Sequence, residues 1–278
     1  MSDGLITVKK VLNIRGNVDF STGNVEFYNN MVVHGSVRSG FELDARNIHV
    51  QGVVEQAQMV AKESILCSGG IKGSKGALLK AADSIRVKFC EFATLHAGKN
   101  IIVDGASLHS KLYARNGIIM KGRFTGGRAV CYHYLLIEGK VGGGLNADTE
   151  VILGYDPALI FKDFRLSRRL KKLRDHIGYL KAELAVDNIG SKTPQLEEEL
   201  EEFRILLAKN LHARHVLTEK IMATEDLTKC KFLAPGKVEP GVEISIGPAW
   251  YKVMDPLENV RFYFEDNEVK YTSPAITE

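Results

Sequence analysis

The sequence predicts a mainly β protein, a single-stranded parallel β-helix into which an antiparallel α-helical coiled-coil hairpin is inserted. Three observations carry that expectation. A five-residue phrase recurs through residues 31–154, its wording is that of a strand, and the period then changes abruptly at Asp156-Pro157. The phrase is an aliphatic residue, any residue, a second aliphatic, a polar residue and usually glycine. It reads Met31-Val33-Gly35, Ile48-Val50-Gly52, Ile65-Cys67-Gly69, Ile85-Val87-Phe89, Ile101-Val103-Gly105, Ile118-Met120-Gly122, Leu135-Ile137-Gly139 and Val151-Leu153. Its starts step by 17, 17, 20, 16, 17, 17 and 16 residues. Self-similarity at a fixed period marks a repeat architecture.

Aliphatics two apart bury one face of a strand. About 17 residues are too few for the helix pair of most α-solenoid repeats, but they suffice for one β-helix coil. Seven coils at about 4.8 Å each make a stack of roughly 34 Å, and stacking alone buries the aliphatics. A second phrase follows each start by ten to fourteen residues, from Phe41-Leu43-Ala45 through Ser110-Leu112-Ala114 to Gly143-Leu145-Ala147. Asn, Ser, Gly and charged residues form the corners. The 20-residue step contains Gly69-Gly70 and Gly73-Ser74-Lys75-Gly76, and is expected to hold a loop bulging from its coil.

The elements are expected as follows. Residues 1–30 form an N-terminal strand or hairpin cap, or an irregular first coil, since two alternating runs flank Ser21-Thr22-Gly23. Residues 31–155 form the β-helix of about seven coils. Residues 156–228 form the hairpin: Asp156 caps it, Pro157 takes the first helical position, and Leu166, Leu170, Leu173, Ile177, Leu180 and Leu184 step by fours and threes. The stretch 187–194 breaks the helix, and Leu196, Leu200, Phe203, Leu207, Leu217 and Ile221 continue the seam, with Asn210 read as a register-fixing polar residue. In residues 229–278 alternation returns, as in Val242-Ile244-Ile246 and Val260-Phe262-Phe264, so this segment is expected to rejoin the β-helix.

Composition limits the function. At 278 residues and 45% hydrophobic the chain can bury a sizeable core, and a net charge of +3 makes no case for nucleic acid. No run reaches the roughly 20 apolar residues of a membrane span, and the N-terminus lacks the apolar core of a signal peptide. The four cysteines have neither metal-site nor disulfide spacing. A cytoplasmic protein without membrane insertion is expected.

No catalytic, cofactor-binding or metal-ligating residues are assigned. His212 and His215 have an i, i+3 spacing but no matching partners. Asp104, Glu138 and Asp148 read as falling on different positions of their coils, where convergent carboxylates would be needed for sugar cleavage. Two surfaces remain as interaction candidates. One is the basic run Lys162, Arg165, Arg168, Arg169, Lys171, Lys172 and Arg174, opposite in sign to Glu197–Glu199, Glu201 and Glu202 at the far end of the hairpin. A solvated face accounts for the charges, and an acidic partner protein accounts for their asymmetry. The other is the outward second residue of the phrase, where Ile102, Ile119, Leu136 and Ile152 form an apolar stripe. The C-terminal segment is expected to cover that stripe through Val260, Phe262 and Phe264, with a second subunit as the alternative.

The stretch Gly16-Asn17-Val18-Asp19-Phe20-Ser21-Thr22-Gly23-Asn24-Val25-Glu26-Phe27 resembles the flagellar assembly protein A family. So do Val33–Val37, the Ala97–Asn100 corner, Gly154-Tyr155-Asp156-Pro157 and Pro240–Gly247. The resemblance runs from about residue 8 onward. It implies a bacterial cytoplasmic protein with a right-handed β-helix and a coiled coil, acting in flagellar assembly or polar organisation, and it brings no catalytic residues. Departures are Phe89 in place of glycine, the enlarged third coil, and a missing domain that usually precedes the β-helix. The expected function is a non-enzymatic scaffold that binds other proteins through the hairpin, homo-oligomerisation remaining open. The alternatives are a hexapeptide-type acyltransferase or a bactofilin-like polymerising protein. The first needs an aliphatic every six residues, and Ile85-Glu91-Ala97 does not supply it.

Overall fold

A computed structural model of the chain describes residues 11–144, 147–185, 193–222 and 226–276. In chain order the first strands are β1 (Val11–Ile14), β2 (Val25–Glu26), β3 (Asn30–Val33), β4 (Glu42–Ala45), β5 (Ile48–Val50), β6 (Gln58–Ala61), β7 (Ile65–Cys67) and β8 (Ile71–Ala81). They continue as β9 (Ile85–Val87), β10 (Cys90–Ala97), β11 (Asn100–Val103), β12 (Ser107–Ala114), β13 (Gly117–Met120), β14 (Phe124–Cys131), β15 (Tyr134–Ile137) and β16 (Thr149–Leu153). Helices α1 (Pro157–Leu184) and α2 (Thr193–Met222) follow. After them come β17 (Lys231–Val238), β18 (Glu243–Ile246), β19 (Ala249–Lys252), β20 (Leu257–Glu265) and β21 (Glu268–Thr272).

The strands fall into two sheets, β1-β3-β5-β7-β9-β11-β13-β15-β17-β20-β21 and β19-β18-β16-β14-β12-β10-β8-β6-β4-β2. Successive coils pair in parallel with like residue on like residue: Ile85 against Ile101, Ile101 against Ile118, Ile118 against Leu135. The two aliphatics of each phrase are fully buried, as are Cys67 and Cys131 of the inward columns. This is the parallel β-helix that the repeat predicts.

The corner glycines have a steric cause. A Cβ on Gly52 would lie 2.5 Å from the carbonyl oxygen of Gly35, and one on Gly139 2.6 Å from that of Gly122. The same approach recurs at Gly35, Gly69, Gly122 and Gly236, each above the corner of the coil before it. At Phe89 the column is interrupted, and Gly70 makes room for that ring, which would meet a Cβ there at 2.4 Å. Gly122→Ala is therefore expected to lower stability by about 1–3 kcal/mol through overpacking, read from urea denaturation. Equal stability would mean that the corners tolerate side chains.

Of the two readings of the N-terminus, residues 11–30 take the first coil and not the hairpin: β1 pairs in parallel with β3, β2 with β4, and Val18 bridges Val37. Two other expectations are corrected. The extra residues of the 20-residue step form a bulge within β8 rather than a loop. Lys72 and Ala77 stand opposite Glu91 and Ala93, and Ser74 and Gly76 have positive φ. The eighth phrase, Val151-Leu153, belongs to the second sheet, where it pairs with Ala129 and Cys131. The coil step there is 22 residues (131 to 153) against 17 (114 to 131), because five extra residues precede β16. Gly143 and Ala147 accordingly lie outside any strand, and Leu145 is outside the described residues.

The hairpin is inserted into the chain at a coil corner. The amide of Gly154 donates to the Tyr132 carbonyl and that of Lys231 to the His133 carbonyl, so the chain leaves and rejoins over one corner. β17 then lies on β15 in parallel and β18 on β16, completing the interrupted coil. β20 turns antiparallel on β17 and β21 on β20. The Phe262 ring stacks on Phe232 at 5.4 Å between centroids, and both are fully buried. Val260 and Phe262 therefore close the end of the core and do not cover the outward stripe.

The chain divides into two compact units, residues 1–157 with 225–278, and residues 158–224. In the second, Ile177, Leu180 and Leu200 form a small core with Leu184, Leu196, Phe203 and Leu207 against it. Asp163 pairs with Arg214 at 3.1 Å and His176 with Glu199 at 3.1 Å, as antiparallel helices require. Residues 186–192, the greater part of the break read at 187–194, lie outside the described residues. Asn210 is buried, but its amide donates to the Leu206 carbonyl of its own helix, and among the described residues it makes no cross-helix hydrogen bond.

Candidate interaction surface

The hairpin seam is unevenly closed. Leu170, Leu173, Ile177, Leu180 and Leu200 are buried, whereas Leu166 and Leu217 near the other end are half-buried. Between the helices at that end lies a groove whose apolar floor is Leu166, Ala213, Val216 and Leu217. Its rim is Lys162, Arg165, Arg169 and Lys220, with no carboxylate among the lining residues. Val216 is 37% exposed. The guanidinium of Arg165 stands 5.9 Å from the Phe161 ring centroid, the ring of the preceding turn. Among the described residues Lys162, Arg169 and Lys220 make no ion pair.

Of the seven basic residues in the run singled out in the sequence, Lys162, Arg165 and Arg169 line this groove. Lys172 continues their line along α1, since 165, 169 and 172 step by four and three. Arg168, Lys171 and Arg174 are exposed but do not line it. Lys220 and Val216 were not singled out, because the groove becomes visible only when α1 and α2 are set side by side. The i, i+4 spacing of those two residues along α2 is the sequence signal that points to them.

The apolar stripe is redrawn. Ile102, Ile119 and Leu136 are neighbours across β11, β13 and β15, each half-buried, and Leu233 of β17 is the next member. Ile152 is not part of it. It stands in the other sheet between Val130 and Ser245. Alternation places a side chain on a face but does not name the sheet, and the 22-residue step moved this phrase to the second one.

Several charged groups of the solenoid hold neighbouring coils together. Arg86 bonds the Asp104 carboxylate through two nitrogens, at 2.8 and 3.0 Å, and keeps it below the usual carboxylate range. Asp104 and Glu138 occupy equivalent corners two coils apart with Lys121 between them, so they do not fall on different positions as the sequence reading had it. Lys121 also reaches Asp104 at 3.7 Å. Asp148 lies before β16, away from that column. Burial pushes the Cys67 thiol up to about 12 and the Cys90 and Cys230 thiols up to about 11, which keeps them un-ionised and unreactive. His96, stacked on Tyr113 at 4.7 Å, is brought down to about 4 by burial and then by Lys80. Among the described residues no group of three His, Cys, Asp or Glu could hold a metal ion; His212 is exposed, and His215 is paired with Glu219 at 3.6 Å. No helix of the described residues is long and apolar enough to cross a membrane.

A short-coil parallel β-solenoid, interrupted at one corner by a coiled-coil hairpin and closed by antiparallel strands, defines a β-solenoid protein with a helical insertion. The Flagellar Assembly Protein A beta solenoid domain matches residues 10–269, and the chain belongs to that family. Searches of the curated proteins and of the solved structures give no match.

Proposed function

We propose that this chain is a non-enzymatic scaffold in bacterial flagellar assembly, acting by protein–protein contact through the basic half of its coiled coil. The family supports the cellular setting. The observation that carries the contact surface is the groove beside Leu166 and Val216, where Lys162, Arg165, Arg169 and Lys220 ring an apolar floor with no carboxylate in the lining. An apolar centre with a charged rim is the anatomy of a protein interface. An acidic amphipathic helix fits it, apolar residues on the floor and carboxylates on the rim. The polymerising alternative is disfavoured at one end of the solenoid, because antiparallel β20 and β21 occupy the sheet edge that a stacked copy would use.

The test is a strain whose chain carries Lys162→Glu, Arg165→Glu and Arg169→Glu. Exposed charge reversals shift stability by less than about 0.5 kcal/mol each, so the chain level should be unchanged while the number of flagellated cells falls. Normal flagellation at a normal chain level would sink the reading.

A further inference from the structure

The groove is one end of a longer face whose charge changes sign along its length. On α1, residues 165, 169, 172, 176, 179 and 183 step by four, three, four, three and four, and so line one side of the helix. They read Arg165, Arg169, Lys172, His176, Tyr179 and Glu183. On α2, Lys220, Val216 and Ala213 line the groove, and the same alternation continues beyond it through Lys209, Leu206 and Glu202. The two stripes meet at both ends. Lys220 joins Arg165 and Arg169 at the groove. Glu199, three residues from Glu202, binds His176 at the other end. Tyr179 stands there too, 61% exposed, with its hydroxyl on Glu183 and Glu199 close by. One end of the face is therefore cationic around exposed apolar residues, and the other is anionic around an exposed aromatic.

Such a face is complementary to itself under a two-fold axis. Turning a second copy end for end sets its Glu183, Glu199 and Glu202 against Lys162, Arg165, Arg169 and Lys220 of the first, and the reverse contact forms at the same time. Tyr179 of each copy then falls at the level of the other's groove, where Leu166, Val216 and Leu217 offer an apolar floor. The size suits the arrangement. Two adjacent helices about 42 Å long and roughly 10 Å across each present on the order of 800 Å² per copy, the usual share of a stable interface. The half-buried Leu166 and Leu217 at the basic end gain cover in the pair.

We propose that the coiled coil is a homodimerisation element in which the basic half of one copy's hairpin packs against the acidic half of the other's. This names the partner of the groove and rests on the reading that the groove is a contact surface.

The experiment is a charge swap in the full chain, read by sedimentation. The basic-end variant carries Lys162→Glu, Arg165→Glu and Arg169→Glu; the acidic-end variant carries Glu183→Lys, Glu199→Lys and Glu202→Lys. The wild type is expected to be a dimer that weakens with added salt. Each variant alone should lose at least about 100-fold in dimer affinity, since like charges then oppose each other. Mixing the two should restore a mixed dimer, because each reversed end meets its opposite. Helical circular dichroism of each variant checks the hairpin, and wild-type salt dependence tests the contact without any substitution. A monomeric wild type, a dimer indifferent to both salt and reversal, or a mixture that stays monomeric overturns the proposal. A monomeric wild type whose basic-end variant still loses flagella would leave the groove a contact surface for another acidic protein. A charge-swapped dimer with normal flagellation would instead remove the groove from the scaffold's work.

Discussion

Val103→Asp is expected to abolish folding, so that the chain is recovered as aggregate and its β-sheet circular dichroism is lost. Val103 has no solvent exposure and stands between Val87 and Met120 in the first sheet. The neighbouring coils present the buried apolar residues Cys67, Val87, Met120 and Ile137 at this level, so the new carboxylate would find neither water nor a cation. Burying it costs several kcal/mol, protonated or not, against a total stability of about 5–15 kcal/mol. Solenoid coils depend on their neighbours, so damage in the middle is not confined to one repeat. Recovery of soluble Val103→Asp protein with native circular dichroism would show that this column does not face the core.

Removal of residues 248–278 is the second change with a large expected effect. It strips β19, β20 and β21, and with them Phe262 and Val260 from the end of the core. Phe232, fully buried against Phe262, would face water along with the open edge of β17. Losing one such aromatic alone costs about 3–5 kcal/mol, and the bared edge is a template for pairing with other chains. The truncated chain should aggregate, and Phe262→Ala in the whole chain should lower the urea midpoint without aggregation. A truncated chain that remains folded and monomeric would mean the closing strands are dispensable.

Period and composition determined most of the architecture. Ile48-Val50, Ile101-Val103 and their equivalents had to face inward, because alternation leaves a strand only two faces and only one of them can be stacked dry. The corner glycines were legible as part of the phrase, though the reason for them, each carbonyl lying under the next coil's α-carbon, needed the coils in place. The helical insertion was legible because the spacing changes from two to three and four at Asp156-Pro157, a change that local chemistry enforces.

Tertiary structure decided three matters that spacing could not. Phase along a strand is the same in either sheet, so only the five-residue excess before β16 could show that Ile152 belongs to the second. The alternation of Val260, Phe262 and Phe264 states that one face is apolar but not what it meets. Antiparallel pairing with β17 set that face over Phe232 at the end of the core. The basic run of α1 was read as a stretch of chain, whereas a groove needs two helices: α2 contributed Lys220 and Val216, and Arg168, Lys171 and Arg174 fell outside it. Side-chain periodicity is a local property that the chain carries with it, while the neighbour across a groove, an edge or a core end is fixed only when distant segments meet.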